Sequence, residues 1–144
     1  MAAPEETPAA IRRNALLAMV APTAVLVLAA TATASRQAAT WFGMRGPICP
    51  LGHLLGEHAC PGCGLTRGTS MAVQGHWHDA WAVNPGGFVV AALCVAAILL
   101  HADVWRRARV LDGHLRLRSL GRWFFLVGIL LAWALRASGG ILPA

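Results

Sequence analysis

The chain has 144 residues, of which 57% are hydrophobic and only 12% are charged. Water-soluble domains carry about 25% charged residues. This composition, with a mean hydropathy of +0.58, therefore argues against a soluble globule and against a disordered chain. The length fits one domain. All twelve basic residues are arginines, and they outnumber the six acidic residues to give a formal net charge of +6.

Three stretches with few or no charges predict three membrane-spanning helices, at residues 14–35, at residues 85–102, and at residues 123–144, which include the C-terminus. About 20 apolar residues of helix cross the hydrocarbon core of a bilayer. Asn84 is expected to cap the second helix, since Pro85 suits a first turn. Gly86-Gly87 would let another helix approach that end closely.

Two of these stretches have alternatives. Arg12 and Arg13 precede the first, and Ala32-Thr33-Ala34 resembles a cleavage site, so a cleaved signal peptide is the other interpretation. Only 13 residues separate Arg122 from Arg136 in the third. That run is short for a span, and a half-inserted helix is its alternative.

The distribution of arginines predicts the orientation. With the N-terminus inside, residues 1–13 form a cytoplasmic tail, residues 103–122 form a cytoplasmic arginine-rich loop, and residues 36–84 are extracytoplasmic. Eight arginines then lie inside and four outside, as the positive-inside rule favours. We expect a multi-pass protein of the inner (plasma) membrane with the lipid bilayer as its first partner. The basic charge is thus a topology signal, and no nucleic-acid partner is expected.

The predicted outer loop holds three of the four cysteines: Cys49, Cys60 and Cys63. The fourth, Cys94, is interpreted as a small apolar residue within the second span. The sequence Cys60-Pro61-Gly62-Cys63-Gly64 predicts a tight turn that brings two thiols together.

A helix from Leu65 to Gln74 is expected after this turn, with Gly75 ending it. Cys63 would lie at its N-terminus, where backbone N–H groups favour the thiolate. A second short helix, Asp79 to Val83, would place Trp77 and Trp81 on the membrane surface.

The string CPGCGLTR, together with Cys49-Pro50 before it and Asn84-Pro85 after it, resembles the bacterial domain of unknown function 2752 membrane family. The resemblance spans about Cys49 to Leu100. It implies a small integral membrane protein and carries no activity with it. The positions that match the family signature are Cys60, Pro61, Cys63, Gly64, Thr66 and Arg67.

Three interpretations of the cysteine loop stay open. The first is a zinc site, in which Cys49, Cys60 and Cys63 supply three thiolates. One histidine would complete the tetrahedral set, and the candidates in the loop are His53, His58, His76 and His78.

The second interpretation is a membrane thiol–disulfide oxidoreductase. An extracytoplasmic loop lies in an oxidising compartment. Cys60 and Cys63 would form the redox pair, and Cys49 would resolve it. No quinone pocket or second dithiol is recognisable in the sequence.

The third and favoured interpretation is a folded cap without catalysis. A disulfide from Cys49 to Cys60 or Cys63, or buried thiols, would hold the loop over the spans. Thr66 would cap the following helix, and Arg67 would pair with Glu57 or Asp79. The function would then lie in binding another membrane protein.

The sequence as a whole predicts an all-α integral membrane protein with three transmembrane helices and an ordered, cysteine-containing helical loop. Phosphate-binding glycine loops, serine–histidine–acid sets and paired carboxylates are not recognisable. Enzymatic activity is therefore not the favoured expectation.

Overall fold

The structure of the protein is a computed structural model that describes residues 7–46, 60, 62–110 and 112–138. Most of the described chain is helical. In chain order its elements are α1 (Pro8–Thr31), β1 (Thr33–Ala34), β2 (Ala39–Trp41), β3 (Met44–Arg45), α2 (Leu65–Val73), α3 (Trp77–Val83), α4 (Gly86–Arg107) and α5 (Asp112–Ala137).

Three of these helices, α1, α4 and α5, are long and apolar enough to cross a membrane. This confirms the prediction of three such helices. Few of their residues are buried by the protein itself. Apolar helix faces that no protein covers are expected for segments surrounded by lipid, because lipid tails then take the place of a protein core.

The ends of α1 differ from the expected residues 14–35. The helix begins at Pro8, because the Thr7 hydroxyl accepts a hydrogen bond from the Ala10 N–H at 3.4 Å and proline suits a first turn. It continues through Pro22 and ends at Thr31, where the chain turns into β1.

The segment expected as an arginine-rich loop, residues 103–122, is mostly helical. α4 continues to Arg107, Ala108 ends it in the left-handed conformation, and α5 begins at Asp112. Arginine and leucine are good helix formers, so the helices extend beyond their uncharged parts. At 26 residues α5 is long enough to span a bilayer, although its uncharged run alone is short.

A small antiparallel sheet of order β1-β2-β3 is a correction to the all-α prediction. Phe42 and Gly43 both have positive φ, as a two-residue type I′ hairpin turn between β2 and β3 requires. The strands have two or three residues each. An alternating pattern cannot be recognised over so short a length, so the sequence analysis missed them.

The helices pack in one group around α4. α1 and α2 both contact α4 and each other, while α5 packs along α4. The C-terminus of α1, the sheet, α2, α3 and the start of α4 lie together at one end of this bundle, which we call the cysteine end. The opposite end, where α4 passes into α5, is called the arginine end.

Candidate functional site: the cysteine turn and its anchors

The two cysteines of the turn are both buried, with 4% of Cys60 and 6% of Cys63 exposed. The Cys63 N–H donates to the Cys60 carbonyl at 3.3 Å, and the Leu65 N–H donates to the Gly62 carbonyl at 3.1 Å. Gly64 follows with φ of 78°, a left-handed conformation that favours glycine. The predicted tight turn is therefore present, with Cys63 directly before Gly64, the N-cap of the helix.

The helix after the turn agrees with the prediction. α2 begins at Leu65 and ends at Val73, and Gly75 follows in the left-handed conformation. Its N-cap is Gly64, which has no side chain that could accept a hydrogen bond from the first turn. The expectation that Thr66 caps this helix is wrong, because Thr66 already lies inside its first turn. α3 begins at Trp77, two residues before the expected Asp79.

Asn84 connects the cysteine turn to the long helix α4. Its side-chain amide donates to the Cys63 carbonyl at 3.0 Å, and its side-chain oxygen accepts from the Gly86 N–H at 2.9 Å. Only 1% of Asn84 is exposed. The N-cap of α4 is Pro85 rather than the expected Asn84, but the Asn84 side chain still satisfies the first N–H of the helix. The bond to Cys63 was not foreseen, because it joins residues 21 positions apart.

Backbone contact between α2 and α4 fixes the position of the turn. A Cβ atom on Gly87 would lie 2.3 Å from the Gly68 carbonyl carbon, and one on Gly68 would lie 2.5 Å from the Asn84 carbonyl oxygen. Neither position has room for any side chain. The close approach expected at Gly86-Gly87 is present, and Gly68 is its partner on α2.

The ion pair of Asp79 is made with Arg36 and not with Arg67, which corrects the expected pairing. Nη2 of Arg36 lies 2.8 Å from Oδ1 of Asp79. This hydrogen bond holds the pKa of Asp79 below its ordinary value of 3.8. Arg67 instead donates to the Arg36 carbonyl. Glu57, the other expected partner of Arg67, lies outside the described residues.

Two side chains from other elements donate to carbonyls at the C-terminus of α1. The indole N–H of Trp41 donates to Leu28 at 2.8 Å. The Gln74 amide donates to Ala32 at 2.7 Å and to Ala29 at 3.0 Å. The last carbonyls of a helix have no partner within it, so these bonds join α1 to the sheet and to the end of α2.

The expected metal ligands are only partly described. Cys49, His53 and His58, like Pro61, lie outside the described residues, whereas Cys60, Cys63, His76 and His78 lie within them. In the part of the chain that the structure describes, no three His, Cys, Asp or Glu side chains converge. His76 and His78, at the start of α3, are therefore not brought together with the two cysteines as a ligand set.

Burial of the two cysteines limits the chemistry of the turn. A thiolate that exchanges disulfides needs contact with its partner sulfur, and both side chains are covered. In the helix that follows the turn, Ser70 is completely buried, and its hydroxyl has no hydrogen-bond partner among the described residues. The surroundings of the turn are thus those of a packed interior.

Large apolar side chains are nevertheless exposed on the surface of the cysteine end. Phe42 at the tip of the hairpin is 98% exposed, and Met44 beside it is 68% exposed. Trp77 and Trp81 of α3 are 68% and 53% exposed. We call these four residues the aromatic surface.

Neither curated proteins nor solved structures gave a match to this chain. A family model does match, over the segment that runs from Cys49 through the turn and into α4. Residues 49–98 match the family described as Protein of unknown function (DUF2752), which supports the family resemblance of the chain.

Proposed function

We propose that this chain is an integral membrane accessory protein whose cysteine turn is structural and whose aromatic surface binds another membrane protein. The observation that carries the proposal is the burial of Cys60 and Cys63 beside a fully buried Asn84, which bonds the turn to the start of a membrane-spanning helix. A site fixed in this way resembles a packed core more than an accessible reaction centre.

The aromatic surface supplies the binding part of the proposal. Tryptophan, phenylalanine and methionine are enriched where proteins bind one another. Here they are held on a rigid base, because the Arg36–Asp79 ion pair joins the sheet region to α3 and Gln74 joins α2 to α1. A rigid surface loses less entropy on binding than a flexible one.

The proposal includes a structural zinc ion bound at the cysteine turn. Cys60 and Cys63 would supply two thiolates, and the set would be completed by Cys49 with His53 or His58. The separation of the described histidines His76 and His78 from the thiols supports this choice among the candidates. Such a zinc ion would stabilise the fold and perform no reaction.

The proposed location is the inner membrane, with the N-terminus in the cytoplasm and the cysteine end outside. The positive-inside rule supports it, since residues 1–13 and 103–121 carry seven of the twelve arginines, without counting Arg122 farther along α5. The rival function is a thiol–disulfide oxidoreductase that uses Cys60 and Cys63. It is supported by the closeness of the two cysteines along one turn and opposed by their burial.

The first experiment tests the turn. Protein purified without oxygen is analysed for zinc, equilibrated with glutathione buffers, and treated with a maleimide before and after unfolding. A structural turn predicts that both thiols react only after unfolding. It also predicts that Cys60→Ser and Cys63→Ser lower the Tm, whereas the control Cys94→Ser changes it little. Reversible, glutathione-dependent oxidation of the pair in the folded protein would instead establish the oxidoreductase.

The second experiment tests the surface. A photoreactive amino acid replaces Trp77 in one variant and Leu130 in another, because Leu130 is 58% exposed on α5, a helix that packs on α4 and is long and apolar enough to span the membrane. We expect a discrete protein crosslink from position 77 and only lipid adducts from position 130. The Cys63→Ser substitution should weaken the crosslink. Lipid adducts alone at position 77 would contradict a protein partner.

A further inference from the structure

An open groove lies between α4 and α5, away from the cysteine turn. Its volume is about 830 Å³, within the range of roughly 300–1,000 Å³ that holds small-molecule ligands. The walls are mostly apolar and include Ala97, Leu100, Phe125 and Leu126. Two of the side chains that line it are polar, His101 and Arg122.

Arg122 lies beside the interior of α4, away from both of its ends. The two helices run antiparallel, with Asp103 bonded to His114 at the arginine end and Gly128 packed against Val89 toward the other. A Cβ on Gly121 would lie 3.9 Å from the Leu93 side chain. At 1.5 Å per residue, Leu93 is about 10 Å from the start of α4 and about 21 Å from its end.

This position places a positive charge at membrane depth, because α4 carries no charged residue between its start and Ala102. Side chains on a helix point toward its N-terminus, so the guanidinium of Arg122 is directed along the groove toward the arginine end. A cation in such surroundings is costly unless an anion or water accompanies it.

No acidic side chain of the described residues pairs with this cation. Arg122 makes no hydrogen bond or ion pair with any of the described residues, whereas Arg107 pairs with Asp103 at 2.8 Å. His101 uses Nδ1 in a contact of 2.7 Å with the Ala97 carbonyl, which leaves Nε2 for another partner. The groove thus combines an unpaired cation and a second polar group with long apolar walls.

We propose that this groove binds one anionic phospholipid of the bilayer. The phosphate would bind the Arg122 guanidinium, Nε2 of His101 would accept a hydrogen bond from a hydroxyl group of the headgroup, and an acyl chain would lie against Ala97, Phe125 and Leu126. Basic pockets between membrane helices are known to hold anionic headgroups. This inference is independent of the function proposed for the cysteine end.

The test is native mass spectrometry of the full chain, released from detergent that contains equal amounts of phosphatidylglycerol and phosphatidylcholine. The wild type should retain phosphatidylglycerol preferentially, and Arg122→Gln should reduce its retention about fivefold. Arg122→Lys should keep most of it. Arg109→Gln is the matched control, since Arg109 is an exposed arginine that does not line the groove, and it should have no effect.

A second variant separates the groove from surface charge. Gly121→Leu fills the groove and leaves Arg122 in place, and the open space around Gly121 makes the change compatible with folding. It should reduce phosphatidylglycerol retention as much as Arg122→Gln does. Equal retention in the wild type and either variant would overturn the proposal. So would equal retention of the two lipids, or a dimer in which a second copy of the chain covers the groove.

Discussion

Asn84 is the residue on which the cysteine end depends most, because it satisfies two backbone groups that are 23 residues apart. Replacing it by alanine leaves the Cys63 carbonyl and the Gly86 N–H without these partners in a buried place. We expect Asn84→Ala to lower the free energy of unfolding by about 1–3 kcal/mol. The change in the free energy of unfolding is measured by reversible unfolding in detergent micelles.

Gln37→Ala is the control for this loss. Gln37 is exposed, and no hydrogen bond of its side chain occurs among the described residues, so its replacement should change the unfolding free energy little. Equal stability of Asn84→Ala and Gln37→Ala would show that the bond to Cys63 contributes nothing to the fold.

The ion pair between Arg36 and Asp79 predicts a dependence of stability on pH. Asp79 has a pKa below its ordinary value, chiefly because Arg36 donates to its carboxylate. Its contribution is therefore present above the ordinary carboxyl pKa and is lost as pH falls through the lowered one. Asp79→Asn should lower the Tm near pH 6, and the difference from the wild type should shrink as the pH falls below the ordinary carboxyl pKa. A difference in Tm that is the same at both pH values would contradict this role.

At the scale of the elements, the crossing of α2 over α4 depends on two glycines. A Cβ on Gly87 would lie 2.3 Å from the Gly68 carbonyl carbon and 2.5 Å from the Thr69 nitrogen. These are backbone atoms, so the helices must separate to admit it. Gly87→Ala should cost about 1–3 kcal/mol or more, measured by the same unfolding experiment.

Gly113→Ala is the matched control, because it also replaces a helical glycine and its Cβ would have no neighbour within 4 Å. Alanine is the better helix former, so this change should stabilise the protein by up to about 1 kcal/mol. A Gly87→Ala protein as stable as the Gly113→Ala protein would mean that the helices do not approach as closely as described.

The same elements show what can be predicted from this sequence. The long helices follow from uncharged stretches and from the local signals of Thr7-Pro8 and Asn84-Pro85, and Gly64 and Gly75 mark the ends of α2. Partners distant in the chain carry no such signal. Nothing local distinguishes Arg36 from Arg67 as the partner of Asp79, or identifies Gly68 as the neighbour of Gly87.

The local turn of the candidate site could therefore be predicted from the sequence, whereas the contacts that hold the turn in place could not. The turn at Cys60 and Cys63 follows from proline and glycine in sequence, because their backbone preferences are local. The burial of both cysteines and their connection to α4 through Asn84 depend on packing between segments about 20 residues apart. Packing of this kind has no periodic pattern that a single sequence reveals.

At the scale of the whole molecule, the two ends of the bundle differ in how they are stabilised. The cysteine end has side-chain hydrogen bonds between several elements, from Gln74, Trp41 and Asn84, and the bond of Asn84 is buried. Along the rest of the bundle apolar side chains point outward, and α5 packs mainly on α4. The lipid must supply the remaining contacts there, so we expect the α4–α5 contact to be the part most sensitive to the choice of detergent.

The difference in charge between the ends predicts how the molecule is inserted. Gln37 is exposed at the cysteine end, and Arg109 is exposed in the connection between α4 and α5. With the arginine end in the cytoplasm, a membrane-impermeant maleimide should label Gln37→Cys in intact cells. It should label Arg109→Cys only after the membrane is permeabilised.

The unsubstituted chain sets the background, because Cys60 and Cys63 are buried. The reverse pattern would show that the chain is inserted against its charge distribution and that the cysteine turn lies in the reducing cytoplasm. Disulfide chemistry at the turn would then lose the oxidising compartment that the oxidoreductase interpretation requires.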